Sequence, residues 1–384
     1  MDIGQFAGNK PGDLIPVEGI QGASHAFLPA LLPPDWSWPA ELWPLLRDAR
    51  VELAKLDGIG RYLPNPGLLL RPLENREAQR SSQLEGTYAT PRQLLLFELD
   101  PVFPESAGDP ANAVREVVNY STALRVGLKM LREGMPFSQW FIRELHSQLL
   151  NGVRGSDSNP GMFRSQQVQI GRPPRFVPPP AFYLQERLDN FEEIARHDER
   201  LYDPLVDAFI MHYQFEAIHP FADGNGRVGR LLLALMITRW CELSNQWLYM
   251  SEYFDEHKDE YLERLLRVST QNDWSGWIRF CLTGVIRQAK DTEQRCASLV
   301  GLSAAYIERV RVLGGSWRLQ SIVDRLFTLP VVQVPLLAAE HDVSYPTASA
   351  DVRKLVSAGI LEEIQGVPIK TYYAPEITNI IYGQ

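Results

Sequence analysis

The sequence is poor in the features that would place it outside the ordinary globular class. Cysteine occurs only three times in 384 residues, as Cys241, Cys281 and Cys296, and never as CxxC. An odd and scattered set argues against a disulfide framework and against a thiolate zinc site, and reads as reduced thiols in a cytosolic protein. Long apolar runs are missing too: the aliphatic stretch from Leu231 to Ile237 falls far short of the roughly 20 residues a membrane span needs. The opening "MDIGQFAGNKPGD" has neither a basic leader nor an apolar signal core, so the expectation is a cytoplasmic chain with no membrane partner. Nor is there an excess of positive charge. Lys and Arg number 38 against 47 Asp and Glu, a formal charge of -9, which removes any general electrostatic reason for tight nucleic-acid binding and leaves only a local patch. Repeats and low-complexity tracts are absent.

What is present is globular in texture, with 45% hydrophobic and 22% charged residues over a length that suggests two or three units. Residues 1 to about 70 are rich in proline and tryptophan ("LLPPDWSWPAELWPLL", "RYLPNPGLLLRP"), which suits an arm laid over another surface, with a short helix at "VELAKLDG". "RPLENREAQRSSQLEGTYATP" predicts a short helix stopped by Gly86, with Pro91 beyond. From 111 to about 300 the pattern is mostly helical, clearest in "PFSQWFIRELHSQLLNG" and "YDPLVDAFIMHYQFEAIHP". Between those two lies "FRSQQVQIGRPPRFVPPPAF", where Val168 and Ile170 alternate with polar residues before a Gly-Arg-Pro-Pro turn. It reads as a β-hairpin, with an irregular surface loop as the open alternative. After a connecting helix near 301–313 and the break "GGS", three short helices and two strands around a Gly-Val-Pro turn follow. That order resembles a winged helix-turn-helix domain. The expected fold is mainly α: a helical core with a small β-hairpin, plus a C-terminal α+β winged helix-turn-helix domain. The expected parts are 1–110, 111–300, a linker helix 301–315, and 316–384.

The densest chemistry lies in "HPFADGNGRVGR", His219 to Arg230. Gly224, Gly226 and Gly229 satisfy GxGxxG, but the flanking segments are helical rather than a strand and its return, so the dinucleotide reading fails. A calcium loop starting at Asp223 would need a glutamate where Ala234 stands, and no lysine closes the run as in a P-loop. What survives is the physics these motifs share. Pro220 ends one helix, glycines let amides converge, and a new helix starting near Gly226 turns its positive end towards them, which makes an anion site. Asn225 can donate to a phosphate oxygen, and Arg227 and Arg230 can reach further phosphates. Asp223 accepts only, so beside phosphate it implies a divalent cation such as Mg2+. His219 at the edge can take a proton from an incoming hydroxyl. The set suggests attack by a hydroxyl on a magnesium-bound nucleoside triphosphate. A helix end, a turn and a solvated face would account for each residue singly, but not for all of them at this spacing.

The stretch resembles the Fic motif, HPFx[DE]GNGRxxR, with every fixed position present. "LHSQLLNGVRG", "PGMFRSQQVQIG" and "FVPPP" are similar to the family's upstream segments and to its flap hairpin, so the likeness covers about 111–300. The resemblance implies a helical enzyme that moves AMP from ATP to a Ser, Thr or Tyr hydroxyl of a protein, itself included, and releases pyrophosphate. It implies that His219 is the general base, Asp223 the magnesium ligand, and Gly224, Asn225 and Gly226 the phosphate cradle. Gly229 is counted among the nucleotide-binding glycines, Arg227 and Arg230 hold the β and γ phosphates, and Tyr261 walls the nucleotide pocket. The target hydroxyl would dock at the flap, about 168–180, and a homodimer is the family's habit. "SSQLEG" resembles the family's inhibitory motif [ST]xxxE[GN] through Ser81, Glu85 and Gly86. Glu85 ends its predicted helix, where a carboxylate opposes the dipole, so a cationic partner is expected, and Arg230 is the candidate. In related proteins the same glutamate assists removal of AMP.

A second class of function competes: a DNA-binding regulator whose central part only senses nucleotide. Residues 316–384 carry five basic against seven acidic side chains, and only Arg353 and Lys354 fall on the presumed recognition helix. That balance favours protein contacts over DNA.

Overall fold

Helix starts in this chain are written in capping residues. Thr90 makes a capping box with Gln93, and Ser138, Asp203 and Ser316 each accept from a backbone N–H of the first turn. The computed structural model describes residues 1–383 except 7, 9, 63–66, 102, 103, 107, 154–158 and 315. Gly315 of the "GGS" break and the end of "LHSQLLNGVRG" therefore lie outside the described residues. The protein is mainly helical with two small antiparallel sheets.

The amino-terminal part is more ordered than its proline content suggests. Strands β1 (Gly12–Pro16) and β2 (His25–Pro29) pair antiparallel over five positions. The short helix expected at "VELAKLDG" is the middle of a 20-residue helix, α1 (Trp43–Tyr62), followed by α2 (Gly67–Leu84) and α3 (Pro91–Leu99). Pro16, Pro29, Pro44 and Pro91 stand at the ends of elements and Pro72 lies within α2, so the local texture understates the order of this region.

The body follows with α4 (Ala111–Arg132), α5 (Gln139–Leu149), α6 (Leu184–Arg196), α7 (Pro204–Ile218) and α8 (Asn225–Trp240). Then come α9 (Ser251–Glu256), α10 (Lys258–Gln271) and α11 (Trp274–Val312). Helix α7 is buried on every side, from Leu205 through Phe215 to Ile218, as is most of α8. Helices apolar all round belong at the centre, and these two pack on each other there, with α6 and β2 against α7 and α4 and α5 against α8. The 39-residue α11 lies along α1 and runs on through the segment read as a connecting helix.

The flap segment differs from the expected hairpin. Its only ladder is an isolated antiparallel bridge, Ile170 to Phe176. Pro173, Pro174, Pro178, Pro179 and Pro180 bring no N–H to a ladder, which prevents regular strands.

Residues 317–382 form α12 (Trp317–Leu326), β3 (Val331–Gln333), α13 (Val334–Glu340), α14 (Tyr345–Ser357), β4 (Glu362–Ile364), β5 (Thr371–Tyr373) and α15 (Pro375–Tyr382). The sheet order is β3-β5-β4. Strand β3 and helix α15 were not read from the sequence. The first is three residues long, and the second follows a strand after only one residue.

Candidate active site

Two helix ends make the site. Helix α7 stops at His219, which takes a left-handed conformation (φ 51°, ψ 60°), and α8 begins at Gly224, also left-handed (φ 79°). Only glycine adopts that shape freely, so Gly224 turns the loop sharply enough for α8 to present its N-terminus beside His219. The loop's own side chains then lock it. Asn225 Nδ2 donates to the Phe221 carbonyl at 2.9 Å, and its Oδ1 accepts from the Phe221 N–H at 2.8 Å. Asn225 is thus a staple for the loop, and it is 2% exposed.

His146, on α5, was missed by the sequence reading. Its Nδ1 accepts from the Gly161 N–H at 2.8 Å, so Nε2 carries the proton and donates to the Asp223 carbonyl at 3.0 Å. The ring stacks on Phe221 at 3.7 Å, and burial pushes its pKa down to about 4, which keeps it neutral. Arg164 was also missed. Its Nε donates to the His219 carbonyl at 2.9 Å, and its Nη2 to the Pro179 carbonyl at 2.6 Å, so one guanidinium joins the base of the flap to the motif. Both lie within quoted segments, but the loop partners that give them meaning are 55 and 77 residues away.

The His219 side chain faces a cavity of about 290 Å3, walled also by Glu85, Gly226 and Arg230 at one end. Ile170, Phe176, Leu262, Leu265 and Leu266 give the rest an apolar lining. Burial, and after it the Arg164 charge, pushes the His219 pKa down to about 4, so its imidazole is neutral and free to accept a proton at pH 7. Asp223, four residues on from His219, has its side chain 55% exposed, and its Oδ1 accepts from the Gly224 N–H at 2.7 Å. Among the described residues no group of three or more His, Cys, Asp or Glu could hold a metal by itself. One exposed carboxylate nevertheless suits Mg2+, which keeps much of its water and shares the substrate's phosphates.

The two arginines divide. Arg227 Nη1 donates to Glu116 of α4 at 2.9 Å, both side chains buried, and its Nη2 lies 4.0 Å from Asp223 Oδ1. A buried cation needs such a partner, so in this conformation Arg227 is held by the scaffold. Arg230 faces the cavity, 3% exposed. Its Nε donates to Ser81 Oγ at 2.8 Å, and its Nη2 donates to the Ser81 carbonyl at 2.9 Å and to Glu85 Oε1 at 2.7 Å. Burial alone would raise the Glu85 pKa, but Arg230 outweighs it, and the carboxyl is held below its usual range. Lys258 Nζ donates to the Leu84 carbonyl at 2.7 Å, a second cation at the C-terminal end of α2. Gly86 (φ 81°) ends the segment as expected. A Cβ on Gly226 would collide with the Glu85 carboxylate, so this glycine makes room for the intruding side chain.

Gly229 stands elsewhere. A Cβ there would strike Glu216 on α7, and its carbonyl accepts from His212 Nδ1 at 3.1 Å. In this conformation it is a contact between α7 and α8. Tyr261 does line the cavity, with its hydroxyl 2.9 Å from His212 Nε2 and its ring 4.4 Å from Phe254. Glu216, unnoticed in the sequence, also lines the cavity, and burial pushes its pKa up to about 7.

Residues 43–129 match the Fic/DOC family N-terminal model, and residues 136–237 match the Fic/DOC family model. Among curated proteins the chain is 34% identical over 136 residues to protein adenylyltransferase fic-1 of Caenorhabditis elegans, covering 34% of this chain and 26% of that protein. It is 38% identical over 80 residues to the probable protein adenylyltransferase aq_aa38 of Aquifex aeolicus, covering 21% of this chain and 24% of that protein. The matched part thus spans about a quarter of the length of these relatives. A crystal structure of a Fic family protein from Desulfovibrio desulfuricans G20 superposes with a TM-score of 0.57 at 21% identity, over 89% of this chain and 98% of that one. Fic-1 of C. elegans, residues 134–508, gives 0.53 at 23% over 67% and 76%. At such identities the likeness is one of fold.

Proposed function

From a chain that belongs, over residues 43–129 and 136–237, to the Fic/DOC family, we propose a protein adenylyltransferase that moves AMP from ATP to a Ser, Thr or Tyr hydroxyl of a protein, itself included. The carrying observation is the convergence of neutral His219, the α8 N-terminus and Arg230 on one cavity. His219 accepts the proton as the acceptor oxygen attacks the α-phosphorus. A new O–P bond forms, the α–β anhydride bond breaks, and pyrophosphate leaves. The backbone amides from Gly224 to Gly226 and the helix dipole stabilise the developing charge, and Arg230 holds the terminal phosphate. Asp223 would hold Mg2+, which neutralises phosphate charge when bound.

In the conformation described, Arg230 is bound to Glu85 and Ser81, and the enzyme is autoinhibited. The terminal phosphate competes with a carboxylate for one guanidinium, and ATP settles in a pose unsuited to attack. We assign to the same carboxylate assistance in removing AMP from a modified target. The working division is an arm with the inhibitory helix over 1–110, a catalytic core over 111–300, a linker helix over 301–315, and a winged-helix accessory domain over 316–384. The last is supported by four helices, α12 to α15, beside a β3-β5-β4 sheet, and its acidic balance favours a protein partner. A salt-dependent shift with duplex DNA would reverse that preference. A homodimer in the cytoplasm completes the reading.

Intact-protein mass spectrometry after incubation with ATP and magnesium tests it. An AMP-sized adduct grows in Glu85→Gly about one to two orders of magnitude faster than in the unaltered chain, the worth of a charge-assisted hydrogen bond of about 1.5–3 kcal/mol. His219→Ala, in the Glu85→Gly background, loses about 10²–10⁴-fold. A phosphate-sized adduct would mean the transferred group is wrong, and equal rates for Glu85→Gly and the unaltered chain would remove the autoinhibition.

A further inference from the structure

The flap holds itself only at its tip, where Ile170 pairs with Arg175 and Phe176. It has one bridge and five prolines within residues 168–180, and proline supplies a carbonyl without an N–H. Three successive carbonyls on its returning arm are instead taken by donors from outside that arm. Val177 accepts from the backbone N–H of Phe27 in β2 at 2.8 Å, Pro178 from Gln167 Nε2 at 2.7 Å, and Pro179 from Arg164 Nη2 at 2.6 Å. Nothing in the family's motifs covers the first of these donors, which comes from the amino-terminal hairpin.

The hairpin is fixed on both sides of that contact. The Phe27 ring is fully buried, 5.8 Å from Phe176 of the flap and 5.5 Å from Phe6. On the hairpin's turn, Gly22 faces Pro174, which a Cβ there would approach to 3.3 Å, and the Gly22 carbonyl accepts from the amino group of Met1 at 2.8 Å. Just past β2, the Ala30 carbonyl accepts from Gln214 Nε2 of α7 at 2.9 Å, on the helix that ends at His219. The hairpin therefore touches the flap and the helix carrying the base at once, and sets one against the other.

Resting on the transferase reading above, we propose that the β1–β2 hairpin is part of the acceptor-docking apparatus. It serves as a fixed strand on which the flap is mounted, with Phe27 as its positioning residue. The flap's pairing with Phe27 leaves the arm around 168–170 as the edge for an incoming protein segment, by strand-like addition. The hairpin touches neither Arg230 nor Asp223 in any contact above and meets the cavity only through the apolar wall at Phe176, so its loss should fall far more on the protein acceptor than on the phosphates of the nucleotide.

The test compares Phe27→Ala, Phe27→Leu and the parent, all in the Glu85→Gly background. Three readouts are taken: hydrogen exchange at flap amides Ile170, Arg175 and Phe176, titration with ATP and magnesium, and transfer of labelled AMP to proteins of a clarified lysate as a mixed acceptor. In Phe27→Ala we expect the flap amides to exchange at least about 10-fold faster, as local opening becomes easier. Protein labelling should fall by about 10- to 100-fold, the usual penalty for misplacing a reacting group. ATP affinity should stay within about twofold, and Phe27→Leu should restore both flap protection and labelling. Unchanged flap exchange, unchanged labelling, or labelling and ATP affinity falling together would each overturn the proposal. If the parent binds ATP but labels nothing, the transferase reading fails instead, and flap exchange still decides whether the hairpin holds the flap.

Discussion

The motif loop and the flap face the same cavity and are built in opposite ways. The loop from His219 to Asn225 closes largely on itself: Asn225 closes both polar groups of Phe221 and Gly224 supplies the left-handed turn, while from outside His146 holds the Asp223 carbonyl and Arg164 the carbonyls of His219 and Pro220. The flap closes on itself only at its tip, where Ile170 pairs with Arg175 and Phe176, and its returning arm takes donors from Gln167 and Arg164 of the outgoing arm and from Phe27 of the amino-terminal hairpin. A loop that must present a proton acceptor and a row of amides to a fixed anion gains from being preorganised. On the proposed function, a segment that receives protein chains gains from a free edge and a mounting elsewhere, and the difference separates chemistry, written largely locally, from acceptor docking, written across the fold.

Breaking the loop's self-sufficiency should have the largest effect. Asn225→Ala orphans the buried N–H and carbonyl of Phe221, at about 1–3 kcal/mol for each unsatisfied group. AMP transfer in the Glu85→Gly background should then fall by roughly two orders of magnitude, and the midpoint of urea unfolding should drop with it. An Asn225→Ala protein with parental transfer would mean the loop is held from outside, as the flap is. Arg164→Lys probes the joint between the two regions and should cost less, about 10-fold in transfer, because one ammonium cannot span the carbonyls of His219 and Pro179 as a fork does. Hydrogen exchange should rise at the flap and stay unchanged in α8. A uniform rise across α7 and α8 would show that Arg164 supports the core instead.

The smallest effect at neutral pH is in the titration of His219. With its pKa near 4, the base form is present above that value and is lost below it, so kcat/KM should fall as pH drops through about 4. Bound ATP adds negative charge beside the ring and favours the imidazolium, which moves the acid limb of kcat to higher pH. Identical limbs for kcat and kcat/KM would separate His219 from the nucleotide's phosphates.

Legibility in the sequence follows the same division. The pairing of Glu85 with Arg230, 145 residues apart, was legible because two local patterns each left a charge needing a partner. Helices α7 and α8 were legible from periodicity and from the proline and glycines between them. The β1–β2 hairpin was not, because its prolines read as an arm and its partners, Val177 and Phe176, lie about 150 residues on. A sequence shows which atoms can bond and not which are already bonded, so the contacts of Asn225 with Phe221, of Arg227 with Glu116 and of Gly229 with the α7 surface were not legible in it.

The central claim is that Arg230 is the phosphate-holding residue and that Glu85 occupies it. The most direct measurement is a crystal structure of Glu85→Gly with a non-hydrolysable ATP analogue and magnesium. The account predicts the terminal phosphate on the Arg230 guanidinium, the metal at Asp223, and the α-phosphorus facing His219. A nucleotide bound elsewhere, or an Arg230 that stays on Ser81 while the phosphates rest on Arg227, would contradict it.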